Sequence, residues 1–595
     1  MNYSAQTGDI RHAFYNIIAM DELVAQGLFP ELSTDLIDAI IEEAGRFATD
    51  IIAPLNRQGD EIGARLEGGR VIMPPGWADA YSQWVKAGWG GLPGNPENGG
   101  QGLPLLLSLA TQELWNTASM AFGIGTVLTQ GAVEALQQHG TDELNSTYLP
   151  KLTSGEWMGT MNLTEPQSGS DLSGIRATAE RRDDGTYLIK GTKIFITYGD
   201  HDLSDNIIHF VLARLSDAPD GIKGISLFLV PKTLVNPDGS LGAKNDVTAA
   251  SLEHKLGIHA SATCVMSYGE NEGAVGYLVG TENRGLYCMF TMMNNARLHV
   301  GIQGVAIAER ATQAAVAYAQ ERKQGQRAGS DGPVAIINHP DIRATLMTMK
   351  VMTAAARAIC YQTARAIDLQ KLAPDEAQRQ KSADRASLLT PVAKAFSTDV
   401  GVEVASLGVQ VHGGMGYIEE TGAAQHYRDA RIAPIYEGTN GIQAIDLATR
   451  KLALQGGDTV TEFINELKQT AQEVMASNLP AYGNTAPCLL TAIDALETTT
   501  VWMQQVAKEE PDLALAGATA YLRLFGLAAG AGFLAQGTQA QLRKSDTADT
   551  ASRDKNIAQL RYFAEHHLPE TISLATTIMT AGDALLALRD DMFQP

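Results

Sequence analysis

The stretch TYLIKGTKIFIT, residues 186–197, alternates β-branched and aromatic side chains with polar ones, which is the period of a half-buried strand. Two further runs, IIHFVLARL at 207–215 and GISLFLVP at 224–231, follow it between Gly, Asp and Pro clusters. A small antiparallel sheet or barrel is therefore expected over 161–283. Outside it the period changes. From 32 to 157 apolar residues recur at helical spacing, as at Leu36, Ile40, Ile41, Ala44 and Phe47, with Pro54 and the glycines around Gly91 as breakers. Long helical runs return at 305–320 and 342–368. The tail after 456 carries more of them, through Phe463, Leu467, Val474 and Met475, then over 489–506 and 572–588.

The expected fold class is mainly α with a central antiparallel β domain. The divisions read as an N-terminal extension (1–31), a helical domain (32–160), a middle β domain (161–283), a four-helix-type domain (284–455) and an extra helical domain (456–595). A doubly wound dinucleotide fold would alternate strand and helix throughout, so it is excluded. The GxGxxA match at 530–535 sits inside an apolar helical run with no strand before it, and reads as small-residue helix packing.

Composition narrows the classes further. With 45 Lys and Arg against 67 Asp and Glu, the net charge of −22 repels nucleic acid and anionic membrane. In the tail, Arg543, Lys544, Arg553 and Lys555 alternate with Asp546, Asp549 and Asp554, a mixed-charge face and not a basic one. The four cysteines stand far apart without a CxxC pair, which argues against a zinc knuckle or disulfide framework; no metal site is expected, and a reducing cytoplasm fits. The start MNYSAQTGDIRH lacks an export signal's basic and apolar regions. The most apolar tail run, 522–535, is Gly-interrupted and reads as short of a membrane span, so no membrane insertion is expected.

Three segments could carry chemistry. LTEPQSGSD (163–171) offers hydroxyls and turn N–H groups able to satisfy the heteroatoms of a planar ring, as an ordinary capped turn also would. KIFITYGD (193–200) puts Phe195 and Thr197 on one strand face. In RDARIAPIYEGTNGIQ (428–443), Glu437 stands between an apolar Ile-Tyr and a Gly-Thr-Asn stretch able to cap a helix starting near Gly441. A carboxylate in an apolar pocket is raised in pKa, as a base for a carbon acid requires.

Taken in order with VQVHGGMGY (409–417), these motifs resemble the acyl-CoA dehydrogenase family over roughly 32–454. The resemblance implies that family's fold plus a C-terminal helical extension. It implies FAD held by Leu163, Thr164, Ser170, Phe195, Thr197 and Thr439, with Arg322, Gln324, Gln410 and Gly414 reaching the cofactor of a neighbouring subunit in a homodimer or homotetramer. Glu437 would be the catalytic base, with Ser170, Tyr436, Gly438 and Arg297 lining the substrate. The chain departs from the family at Phe195, where Trp is usual, at Tyr198 in place of Asn, and in the Arg322 segment, which lacks the family's Phe. A minority of relatives carry the base just before Arg297, but Ala296 stands there.

The implied reaction is α,β-dehydrogenation of an acyl-CoA thioester: Glu437 takes the α-proton as hydride passes to flavin N5, and electrons go on to an electron-transferring flavoprotein. Length and tail are most similar to a larger bacterial branch that includes methylmercaptopropionyl-CoA dehydrogenases. This points to 3-(methylthio)propanoyl-CoA, with plain fatty acyl-CoAs as the alternative. An acyl-CoA oxidase and a DNA-associated flavin stress protein share the scaffold.

Overall fold

A computed structural model describes residues 3–544 and 550–594, so the tail charges Asp546 and Asp549 lie outside the described residues. The chain divides into two units, Glu43–Ala296 and Met1–Glu42 with Arg297–Pro595.

The first unit joins helices α1 (Leu105–Ala118), α2 (Met120–His139) and α3 (Asp142–Ser154) to a sheet of eight strands. These are β1 (Trp157–Asn162), β2 (Thr178–Arg181), β3 (Tyr187–Thr197), β4 (Asn206–Leu215), β5 (Ile225–Pro231), β6 (Val247–Leu252), β7 (Thr263–Tyr268) and β8 (Ala274–Val279). Their order is β6-β7-β3-β8-β5-β4-β1, with β2 against β3 and β4. The pairs are antiparallel as expected, except that β1 and β2 run parallel to β4. β4 and β5 are buried on both faces, which is why they read as continuous apolar runs. Gly159 lets α2 lie on β1, since a Cβ there would stand 2.4 Å from Ala132 Cβ. Leu128, Leu136, Phe210, Leu229, Met289 and Met292 fill the core between helix and sheet.

The helical stretch 32–157 also holds a hairpin that the periodicity did not show, Arg65–Glu67 with Arg70–Ile72. Its three-residue arms are too short to display a period. Gly68 and Gly69, both at positive φ, close it as a two-residue turn.

The second unit is helical. Its long members are α4 (Gly285–Glu321, whose first turns belong to the other unit), α5 (Pro340–Leu372) and α6 (Glu376–His412). Then come α7 (Asn440–Thr449), α8 (Asp458–Ala476), α9 (Thr485–Glu509), α10 (Pro511–Arg543), α11 (Thr550–His566) and α12 (Glu570–Thr580).

The apolar tail run is not short of a span. It belongs to the 33-residue α10, among the described residues the one helix long and apolar enough to cross a membrane, and 67% of its most apolar window is buried inside the protein. Apolar on all sides, it is a core helix. Its glycines act as notches instead of breakers: a Cβ at Gly526 would stand 2.2 Å from the Phe396 ring, at Gly530 2.8 Å from Ala355 and at Gly532 2.4 Å from Leu467. Phe463 stacks on Phe525 at 5.3 Å.

The N-terminal extension folds onto the same helices. Phe14 meets Tyr361 edge-on, Gln362 Nε2 donates to the Ile17 carbonyl at 2.9 Å, and His12 Nδ1 pairs with Asn556 Nδ2 at 3.1 Å. The tail cations Arg543, Lys544, Arg553 and Lys555 each meet a carboxylate, on Glu473, Asp21, Asp554 and Asp9. The run 572–588 buries less than its apolar spacing suggests: Ala575 and Ile578 are inside, while Ile572, Leu585, Leu586 and Leu588 stay exposed.

A chain ended at Leu454 would strip α10 from Phe396, Ala355 and the N-terminal helices, exposing surface worth about 25 cal/mol per Å². It should appear in the insoluble fraction on expression, or melt well below the full chain by calorimetry. Equal solubility and melting temperature would show that α10 is not core.

Candidate active site

Glu437 sits in a turn of unusual backbone. It and Gly438 are both at positive φ, 56° and 84°, and only the second is a glycine. A non-glycine residue in the left-handed region costs on the order of 1–2 kcal/mol, so the surroundings must hold it there. They do so at both ends. The Tyr436 N–H donates to the Ile432 carbonyl at 3.2 Å, and the Asn440 N–H to the Pro434 carbonyl at 3.0 Å. Thr439 Oγ1 then caps α7 by accepting the Ile442 N–H, one residue earlier than the expected start at Gly441.

Gly438 suits glycine through its positive φ, and a Cβ there would also displace the Gln443 amide, whose Nε2 would stand 2.6 Å away. The Tyr436 hydroxyl donates to Gln303 Oε1 on α4. The Glu437 carboxyl is pushed up by burial, and the cations Arg297 and Lys394 only partly offset this. Such a carboxylate is a stronger base than one in water. Ala296, the other position where relatives carry a base, is buried and has no proton-accepting atom.

The flavin-type segments lie in the Glu43–Ala296 unit. Lys193, fully buried in β3, donates to Glu165 Oε1 at 2.8 Å and to the Leu163 carbonyl at 3.0 Å. Glu165 also accepts the N–H groups of Arg176 and Ala177, at 2.7 and 3.0 Å. Burial works to raise the Glu165 carboxyl, but Lys193 and those N–H groups overcome it and hold it below its usual range. Burial pushes the Lys193 ammonium down to about 8.

The same anchor shapes the strand. The Ile194 N–H donates to the Thr164 carbonyl at 2.9 Å, and pairing with β7 slips between Met266 opposite Lys193 and Cys264 opposite Ile196. This bulge, with Phe195 at φ 60°, turns Lys193 and Ile196 inward and leaves the Phe195 ring 59% exposed beside a half-buried Thr197. Leu163 and Thr164 are half-buried and Ser170 exposed. An open aromatic flanked by hydroxyls and turn groups fits a flat ring with polar edges, such as a flavin. Tyr198 is instead buried: its hydroxyl donates to the Ala121 carbonyl at 2.7 Å, and its ring occupies the space a side chain at Gly125 would need.

Arg322 and Gln324 are exposed where the chain leaves α4, with Arg322 Nη2 donating to Gln324 Oε1 at 3.4 Å. Gln410 and Gly414 are exposed at the end of α6. The structure thus groups Tyr436, Glu437, Gly438, Thr439 and Arg297 in one unit and Leu163, Thr164, Phe195 and Thr197 in the other. Sequence reasoning missed the two lysines behind these turns. Lys193 could have been found as a charge at an inward position of a strand.

This fold and this site define a flavin-dependent class. The chain belongs to the acyl-CoA dehydrogenase family: models of its N-terminal, middle and C-terminal domains match residues 34–156, 160–270 and 283–452, and an acetyl-CoA dehydrogenase C-terminal-like model matches 463–589. It is an FAD-dependent acyl-CoA dehydrogenase.

Among its relatives, the 3-methylmercaptopropionyl-CoA dehydrogenase of Ruegeria pomeroyi is 46% identical over 98% of this chain and 99% of that protein. A butyryl-CoA dehydrogenase of Syntrophomonas wolfei is 37% identical over 78% of each. The crystal structure of Caenorhabditis elegans ACDH-11 in complex with C11-CoA shares the fold, with a TM-score of 0.75 and 21% identity over 95% of each chain.

Glu165→Gln should leave Lys193 buried without its counter-charge, at a cost of roughly 3–5 kcal/mol. The native Lys193 pKa lies below its unfolded value of 10.5, so between them the unfolded state binds more protons and stability rises with pH. Losing Glu165 lowers the native value further and widens that window. Melting curves should show the deficit of Glu165→Gln shrinking from pH 7 to 9. A deficit that grows with pH would contradict the pairing.

Proposed function

We propose that this dehydrogenase takes its α-proton with Glu437 and acts on 3-(methylthio)propanoyl-CoA. The observation that carries the base assignment is a carboxylate fixed in a left-handed turn with a raised pKa. An α-proton beside a thioester is far less acidic than a carboxylic acid, so a base freed from water lessens the mismatch. Donors aimed at the carbonyl oxygen must lessen the rest. The Glu437 N–H is suited to this, because its turn is pinned at both ends.

Bound FAD supplies the hydride acceptor for Cβ. Leu163, Thr164, Ser170, Phe195, Thr197 and Thr439 are the residues that would hold it. Tyr436, Gly438, Ser170 and Arg297 would line the acyl-CoA. The thioether substrate rests on the full-length likeness to the Ruegeria protein; short fatty acyl-CoAs are the alternative suggested by the Syntrophomonas relative.

We further infer a homo-oligomer in the cytoplasm that passes electrons to an electron-transferring flavoprotein. Support for the oligomer comes from Gln410 and Gly414, which are exposed beside an uncovered apolar patch of Met415, Tyr417 and Ile418. Arg322 and Gln324 would reach the partner's cofactor. Among the described residues the four cysteines form no disulfide, as a reducing compartment permits.

In Glu437→Gln, FAD and acyl-CoA should still bind, while anaerobic bleaching of the flavin slows by at least roughly a hundred- to ten-thousand-fold. Bleaching near the wild-type rate would assign the base elsewhere. Running the wild type against 3-(methylthio)propanoyl-, butanoyl- and longer acyl-CoAs tests the substrate, and the proposal fails if butanoyl-CoA has the higher kcat/KM.

A further inference from the structure

Lys394 lies midway along α6, and no part of it reaches solvent. A lysine is almost never left wholly buried without a reason, because desolvating its ammonium costs several kcal/mol. Its Nζ donates to Asn440 Oδ1 at 2.8 Å. Asn440 is the first residue of α7, three positions after Glu437 in the same turn. Its amide is oriented from the other side too: the two Nδ2 protons are shared among Asp399 Oδ1 at 2.7 Å, Thr398 Oγ1 at 3.0 Å and the Ala395 carbonyl at 3.1 Å. With four partners on one turn and a half of α6, this amide cannot rotate without leaving a buried polar group unsatisfied.

We propose that Lys394 is a positioning residue for the base: through Asn440 it locks the Glu437–Asn440 turn onto α6, and it keeps a cation beside the Glu437 carboxylate. The proposal rests on Glu437 being the base. A purely structural lysine would need only its hydrogen bond. Lys394 also has a charge role, because it and Arg297 are the cations that act on Glu437. Burial pushes the Lys394 ammonium down to about 7, while Glu437 and Asp399 pull it back up.

Other charged or titratable groups act on this pair or on its immediate partners, including Arg431 and, on α10, Arg523, which act on Asp399. Arg297 stands on α4, Asp399 on α6, Tyr436 just before the base, Asp446 and Arg450 on α7 and Lys451 beyond it. None of these others donates to the turn's Asn440 side chain as Lys394 does.

The expected consequence is readable in pH profiles. A cation beside the base favours its ionised form, so removing it moves the acid limb of flavin reduction to higher pH by about one unit. Lys394→Gln removes the charge but can still donate to Asn440, so its limb should shift while its high-pH plateau stays near wild type. Lys394→Met removes both, so its limb should shift and its plateau fall.

The test is anaerobic stopped-flow bleaching of the FAD-loaded full chain from pH 5.5 to 9.5, with whichever of 3-(methylthio)propanoyl-CoA and butanoyl-CoA bleaches the wild type faster. If neither Lys394 variant folds, Asn440→Ser decides, since it keeps Lys394 but cuts its hold on the turn, and its plateau should fall at least roughly tenfold. Limbs that stay at the wild-type pH in folded Lys394 variants, or a wild-type plateau in Asn440→Ser when those variants do not fold, would overturn the proposal. Glu437→Gln, run alongside, separates the two readings. Its loss of bleaching together with unmoved limbs sinks only the Lys394 role, whereas wild-type bleaching in Glu437→Gln sinks the base assignment and the Lys394 role with it.

Discussion

Removing a charge from water costs several kcal/mol unless a partner is built to receive it, and both candidate-site turns of this protein are organised around that cost. In one unit the receiver is Glu165, which meets Lys193 and two backbone N–H groups and thereby draws the Leu163–Glu165 stretch against β3. In the other it is the Asn440 amide, which meets Lys394 and fastens the residues after Glu437 to α6. Each buried lysine is a stem long enough to reach from a regular element into an irregular one. Rigid strand and helix therefore dictate the shape of turns that have little regular hydrogen bonding of their own.

The layer order was legible in the sequence because period-2 and period-3.6 runs are long here, and because the middle strands are bounded by turn residues. What periodicity could not show was strand direction: β1 and β2 run parallel to β4, and nothing in their residues distinguishes a parallel from an antiparallel neighbour. Glycine was read in two ways. In α10 it read as interrupting a span and, at 530–535, as small-residue helix packing, and only the second reading holds, since glycine is the feature that brings Phe396 and Leu467 against the helix backbone. Among candidate site residues, Glu437 was singled out by its motif and Phe195 by strand alternation. The bulge that exposes Phe195 was not legible, since it arises from a long-range bond between Ile194 and the Thr164 carbonyl.

Tyr198 shows how a departure from a family motif is absorbed. Where relatives have a short amide, this chain places a large ring that points into the core and bonds the Ala121 carbonyl, and Gly125 on α2 gives it room. The ring of Tyr198 is thereby turned away from the exposed side chain of Phe195.

The N-terminal extension has a consequence for how this chain is made. Ile17 is bonded by Gln362 and His12 by Asn556, so the first helices leave the ribosome long before the residues that receive them exist. The unit Glu43–Ala296 is continuous in the chain and can complete itself during synthesis. Phe14, Ile17 and their neighbours must wait for α5 and then for α10 and α11. At about 5–20 residues per second that wait lasts on the order of tens of seconds. During it the apolar side chains of Phe14 and Ile17 stay uncovered. The length of that exposure is set by how fast the chain is made as far as α11, and not by the stability of the finished molecule.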